Sequence, residues 1–270
     1  MRASRVILAG VVGIVVVGAI WELAVRLGNV REFILLPPSK IITELGDRPR
    51  LYLDASLVTG RHALVGVLAA LAVALVAGAV LTTSRFLEQA AQPLLILILV
   101  APWVAYFTPL VIWLGRGDPP VLFLVTLVSV PAFTFATVTG LRSSDPAARE
   151  LLASVNASRA EVLWRLRLPS ALPGILSTTR YVIGLSLAAA FYGEGGNLAT
   201  TDGLGALGRR AASNSMARLL WASVFATVVL GVIGLGLVLL IERVLLRWHV
   251  SQRRRTSPAG ATRPSRRWLP

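Results

Sequence analysis

Side chains able to do acid–base, nucleophilic or phosphate chemistry are scarce in this sequence and lie far apart along it. There is no cysteine, which excludes a disulfide scaffold, a zinc ribbon, an iron–sulfur site and a thiol nucleophile. His62 and His249 stand alone, and no Ser-His-Asp arrangement or carboxylate cluster can be assembled around them. A nucleotide-binding P-loop needs a glycine-rich turn ending in lysine, but the single lysine, Lys40, follows Pro37-Pro38-Ser39. Gly203, Gly205 and Gly208 form a G-x-G-x-x-G string without the preceding strand that a dinucleotide site requires; a flexible loop outside the membrane is expected there. Glu194, beside Tyr192 and Asn197 at the end of an apolar run, is the ionisable group that stands out. An acid at membrane depth is a functional candidate, and an acid capping the end of a span is the other reading; both stay open. No catalytic residue, metal or cofactor is expected, so the chain is not read as an enzyme.

The elements that must position these groups are membrane helices. Of 270 residues, 55% are hydrophobic and 15% charged, against roughly 25% charged in soluble domains. The fold class expected is all-α and polytopic, with about six crossings near 6–25, 57–81, 90–114, 120–141, 175–193 and 219–241, each close to the ~20 residues a helical crossing needs. Residues 1–56 are read as an N-terminal anchor helix with its connection, 57–245 as the core and 246–270 as a basic disordered tail. Arg2 and Arg5 before the first apolar run resemble a signal-peptide start, but the run continues past Trp21, and a retained anchor is preferred. Arg180 interrupts the fifth run, and its side chain is expected to reach the interface.

The net charge of +14 could suggest nucleic acid, yet eight arginines from Arg243 to Arg267 follow the last span with no acid after Glu242. A basic juxtamembrane tail reflects the positive-inside rule and attraction to anionic lipids, so nucleic acid is not an expected partner. The same rule places both termini and the 142–170 connection in the cytoplasm.

Two spans carry internal signals. Gly66, Ala70, Ala74 and Gly78 put small residues on one face, allowing close approach of a neighbouring backbone. Pro102 and Pro109 are expected to break the third span; broken helices at membrane depth are tolerated where protein or an aqueous cavity satisfies the freed backbone. Trp103, Tyr106, Phe107 and Thr108 between them, with Glu194, are therefore candidates to line or border a translocation path.

The connection after the fourth span is the most informative stretch. Asp145-Pro146 reads as an N-cap with proline at the first helical position, and Leu151, Leu152 and Val155 share a face. Asn156 tolerates the left-handed conformation of a helix end. Ser158-Arg159-Ala160-Glu161 forms a capping box, Val162, Leu163 and Leu166 a second apolar face, and Pro169 a stop. Two short helices joined by a tight turn, carrying Arg159, Arg165 and Arg167, are shaped to dock in a groove on a partner; lying on the lipid surface is the alternative.

Glu150, Asn156 and Leu166-x-Leu168-Pro169 have the spacing E-A-A-x3-G-x9-I-x-L-P, and the chain thereby resembles the permeases of ATP-binding-cassette importers. Leu151 and Leu152 replace the two alanines, Asn156 the glycine and Leu166 the isoleucine. Leu36-Pro37-Pro38-Ser39, Ile112-Trp113-Leu114-Gly115, Gly193-Glu194 and Gly203-Leu204-Gly205 are similar, in order, to the nitrate/sulfonate/taurine subfamily. The resemblance implies a plasma-membrane homodimer of all-helical subunits. It also implies separate ATPase subunits gripped through Glu150, Leu151, Leu152, Asn156, Ser158, Arg159, Leu166, Leu168 and Pro169, and an extracytoplasmic binding protein that delivers solute. Arg31, Arg48, Arg50, Arg209 and Arg210 on the expected outer side lean toward an anionic solute, with pyrimidine vitamin precursors open. A secondary transporter or channel would need intramembrane relays that the spans scarcely offer, and a mere membrane anchor would not need the elbow.

Overall fold

The computed structural model describes residues 2–196 and 202–246; Asn197, His249 and nearly all of the basic tail lie outside the described residues. The described chain is helical, with no strand among the described residues. Its order is α1 (Arg2–Leu27), α2 (Pro38–Asp47), α3 (Pro49–Leu81), α4 (Arg85–Val100), α5 (Trp103–Leu114), α6 (Asp118–Arg142), α7 (Pro146–Ser154), α8 (Arg159–Val162), α9 (Leu168–Gly196), α10 (Leu204–Ser213) and α11 (Ala217–Leu245). A π-helical turn, Leu163–Arg167, joins α8 to α9. Five helices are long and apolar enough to cross a membrane, or six when the bent pair α4–α5 counts as one span.

Proline starts many of these helices. Each of α2, α3, α6 and α7 has proline in its first two positions, where the missing N–H would be unpaired anyway and the fixed φ suits a helix. The centre of the bundle is α3, α6 and α9. Gly66, Ala70, Ala74 and Gly78 are buried on α3, and a Cβ on Gly66 would lie 2.4 Å from Val125 Cγ1, one on Gly78 2.5 Å from Thr137 Cγ2. The small-residue stripe thus brings α3 against α6, where dispersion contacts replace a hydrophobic driving force that lipid does not supply. Phe133, Ala171, Ile175 and Val182 close the other half of this core. By contrast, α1 and α11 turn Ile14, Val17, Val232 and Leu240 outward, as lipid-facing helices do.

The third span departs from expectation in one respect. It breaks once, at Ala101-Pro102, where α4 and α5 meet at 94°. Ala101 is extended (ψ 141°), the conformation proline imposes on its predecessor. Pro109 does not break α5: Phe107 and Leu110 on either side are buried against α6 and α9, and this packing holds the helix through the missing hydrogen bond.

Candidate functional site

The elbow forms as expected up to its end. The Asp145 side chain accepts from Ala147 N at 3.0 Å, starting α7, and Asn156 turns the chain with φ 53°. Ser158 and Glu161 form the reciprocal capping box that starts α8. Pro169, however, does not stop the second helix. Leu168 N bonds to Leu163 O, five residues back, and the widened turn absorbs the lost donor and ring of Pro169, so the helix runs on into α9. The two apolar faces also diverge. Leu163 packs into the core and Leu166, Leu168 and Pro169 are half-buried. Leu151 (67%), Val155 (68%) and Trp164 (68%) are exposed, as are Glu150, Ser158 and Arg159, and Leu152 is half-buried. Large exposed apolar side chains interleaved with polar ones on a helical elbow are suited to being covered by a partner.

At the other end of the bundle, His62 is not isolated. It is fully buried on α3, its Nδ1 lies 2.8 Å from Glu194 Oε1, and its Nε2 lies 3.2 Å from Asp118 Oδ1 in a direction poorly suited to a hydrogen bond. Arg61 pairs with the same Asp118. Thr59 Oγ1 donates to Glu194 Oε2 at 2.8 Å and accepts from Leu204 N at 2.8 Å, while Gly205 N donates to Glu194 Oε2 at 3.0 Å. Glu194 is 1% exposed, and its carboxylate is an internal anchor that ties α3, α9 and the N-terminus of α10 together. An anion satisfying the first N–H groups of a helix is favourable twice over, by hydrogen bonding and by the helix dipole.

This anchor explains the glycine string, and the flexible loop expected there is corrected. Residues 204–213 form α10, with Leu204, Gly205, Ala206, Leu207, Gly208 and Ala211 buried. A Cβ on Gly203 would lie 2.2 Å from Glu194 Oε2 and one on Gly205 1.8 Å from Phe191 O. The glycines let a short helix lie against α9; they cradle no phosphate. Sequence reasoning missed the pairing of His62 with Glu194, since 132 residues separate them and neither carries a local motif.

The path candidates are split between a surface and the wall behind it. Trp103 and Phe107 stack edge-on against Tyr192, with ring centroids 5.6 and 5.9 Å apart. Trp103 and Tyr192, with Leu187, Phe191 and Val228, line an apolar groove of about 470 Å³ between α9 and α11. Tyr106 and Thr108 are exposed; Phe107 and Glu194 are buried. Arg180, a partly exposed side chain, donates to Glu242 Oε2 and links α9 to α11. Among the described residues no group of acids, histidines and cysteines is placed to hold a metal ion. Where α2 meets the start of α11, hydrogen bonds from Lys40 and Arg218 hold the Glu32 carboxyl below the usual range.

The chain is 27% identical over 238 residues to the formylaminopyrimidine transport permease protein ThiX of Halalkalibacterium halodurans, covering 86% of this chain and 92% of that protein. It is 25% identical over 254 residues to the taurine transport system permease protein TauC of Escherichia coli, covering 91% of each. In fold it is similar to a chain of the inward-facing MetNI methionine ABC transporter, with a TM-score of 0.63 at 15% identity, over 74% of this chain and 98% of that one. A chain of an amino acid ABC transporter follows, with a TM-score of 0.54 at 14% identity over 78% and 96%. Residues 65–247 match the family of the binding-protein-dependent transport system inner membrane component, which takes in the elbow, Glu194, α10 and the second half of α3. An all-helical bundle and an exposed elbow with the E-A-A spacing agree with that match: the chain belongs to this family and is a multi-pass permease component of an ABC importer.

Proposed function

We propose that two copies of this chain form the membrane path of an importer for a small, anionic, sulfonate-like solute. The solute arrives from an extracytoplasmic binding protein, and closure of separate ATPase subunits is passed to the bundle through residues 145–170. The observation that carries this reading is the elbow. Its exposed Leu151, Val155 and Trp164 stand on a short α7 whose ends are fixed by Asp145 and by the Asn156 turn, so force on it is transmitted to α6 and, through the continuous α8–α9 helix, to the core. Elbow and termini lie on the cytoplasmic side.

Trp103, Tyr106, Phe107, Thr108 and Glu194 line or border the path. Trp103, Tyr106 and Thr108 offer stacking surface and a hydroxyl without a fixed charge that would trap solute, and Phe107 and Glu194 support them from behind. The anionic preference is supported by Arg31, Arg50 and Arg209, exposed and without an acidic partner among the described residues, on the side opposite the elbow. Relatives named for taurine and for formylaminopyrimidine bracket the solute.

The test is reconstitution in vesicles with the ATPase and binding protein encoded beside this chain. ATP-dependent uptake of a labelled alkanesulfonate is expected. Uptake of only a pyrimidine precursor would refute the solute class, and uptake driven by an ion gradient without the ATPase would refute the importer mechanism and favour a secondary transporter.

A further inference from the structure

Between the end of α3 and the elbow lies a cavity of about 710 Å³. Its walls include Thr82 and Thr83 from the end of α3, and Arg149, Glu150, Arg159 and Arg167 from the elbow. Other arginines in this part of the fold have partners: Arg142 pairs with Glu88, Arg165 with Glu161 and Arg180 with Glu242. Arg149, Arg159 and Arg167 have no acidic partner among the described residues. Arg167 lies within coulombic range of Arg149 and Arg142, and its Nε is buried without a hydrogen-bond partner. A buried N–H left unpaired beside like charges is costly unless something fills the site. Glu150 on the rim offsets only one of the three positive charges.

We infer that this cavity is a site for the phosphate headgroup of an anionic phospholipid. Guanidinium forks match phosphate oxygens in geometry as well as charge. The Thr82 and Thr83 hydroxyls already donate to Ala79 O and Val80 O, so the donors left for a ligand are those of the arginines. Position selects a lipid over a soluble phosphate. The apolar run of α3 ends at Leu81 and is followed by Thr82-Thr83-Ser84, so the cavity sits where that helix leaves the hydrocarbon layer, at headgroup depth. Basic pockets between membrane helices at this depth hold anionic headgroups. An acyl chain would leave along the apolar flank of α3. The bound lipid would brace the elbow against α3 and make elbow rigidity depend on membrane composition. The inference rests on the membrane placement proposed above.

The test uses the full chain purified in detergent, with native mass spectrometry counting phosphatidylglycerol against phosphatidylcholine of the same acyl chains. Wild type is expected to prefer phosphatidylglycerol. Arg149→Gln with Arg167→Gln should weaken that binding roughly 30-fold, from two headgroup attractions; Arg149→Gln alone, at an exposed position, should weaken it about 5-fold. Arg167→Lys should retain most of it, and neutralising Arg253, Arg254 and Arg255 in the tail should leave the preference unchanged. Equal binding of both lipids, an equal loss in the tail variant, or displacement by millimolar inorganic phosphate would overturn the lipid site. A lost ATPase pull-down in lipid-free detergent for the double variant would assign the arginines to a protein contact instead. Wild-type pull-down of the ATPase is scored separately: intact pull-down with no lipid preference counts against the site alone, whereas absent pull-down counts against the importer mechanism.

Discussion

Replacing Glu194 by glutamine tests whether its buried carboxylate holds the end of the bundle together. The carboxylate takes hydrogen bonds from Thr59 Oγ1, Gly205 N and His62 Nδ1 and is almost wholly enclosed. Glutamine keeps the shape and one acceptor oxygen; with that oxygen on Thr59 Oγ1 and Gly205 N, its NH2 faces His62 Nδ1, which accepts only when the imidazole proton moves to Nε2, a buried nitrogen without a hydrogen-bond partner. One hydrogen bond to a charged group, worth about 1.5–3 kcal/mol, is lost and a buried donor is left unpaired, for a total of about 3 kcal/mol. At roughly 2–4 °C per kcal/mol for a chain of this size, Tm should fall by roughly 6–12 °C. Thermal unfolding of the purified chain in detergent, followed by tryptophan fluorescence, measures the fall. Hydrogen exchange should show the Leu204 and Gly205 amides losing protection first, since both are held only by this network. Adding Thr59→Val should cost less in the Glu194→Gln background than in wild type, with a coupling of about 0.5–3 kcal/mol. A Tm within 2 °C of wild type with unchanged exchange in α10 would refute the anchor.

The elbow gives a second prediction: Leu151→Asp, or charge reversal at Glu150, should abolish capture of the ATPase in a pull-down while leaving Tm unchanged, because both side chains are exposed. Undiminished capture by both variants would contradict docking through this surface. For the path, Trp103→Ala and Thr108→Ala should lower uptake in reconstituted vesicles while leaving ATPase assembly intact; wild-type uptake in both would remove these residues from it. Enlarging Gly66 to leucine places atoms where Val125 already sits and should cost at least 1–3 kcal/mol, read as lost thermal stability, whereas the same change at Gly236, which has open space, should be nearly neutral. Topology is checked by a Ser154→Cys and a Ser215→Cys variant of this cysteine-free chain: an impermeant thiol reagent applied to intact cells should label only the second, and the reverse pattern would invert the orientation.

Much of this protein was legible in its sequence because membrane insertion and local capping are local problems. Uncharged runs specify the spans, since no water is available inside a bilayer to stabilise an alternative. Asp145-Pro146, the Ser158–Glu161 box and Asn156 specify the elbow, because each satisfies its own helix end through neighbours a few residues away. What the sequence misstated involved contacts between distant segments. Pro109 and Pro169 carry the same local instruction to break a helix, yet α5 runs through one because Phe107 and Leu110 are packed, and a π-turn absorbs the other. The string Gly203-x-Gly205-x-x-Gly208 reads alone as a loop. It becomes a helix when the Glu194 carboxylate and the Phe191 backbone lie against it. His62, alone in sequence, is one member of a charged cluster built from three helices. Buried polar groups must find partners wherever the fold supplies them, and which partner lies within 3 Å is decided by packing, not by spacing along the chain.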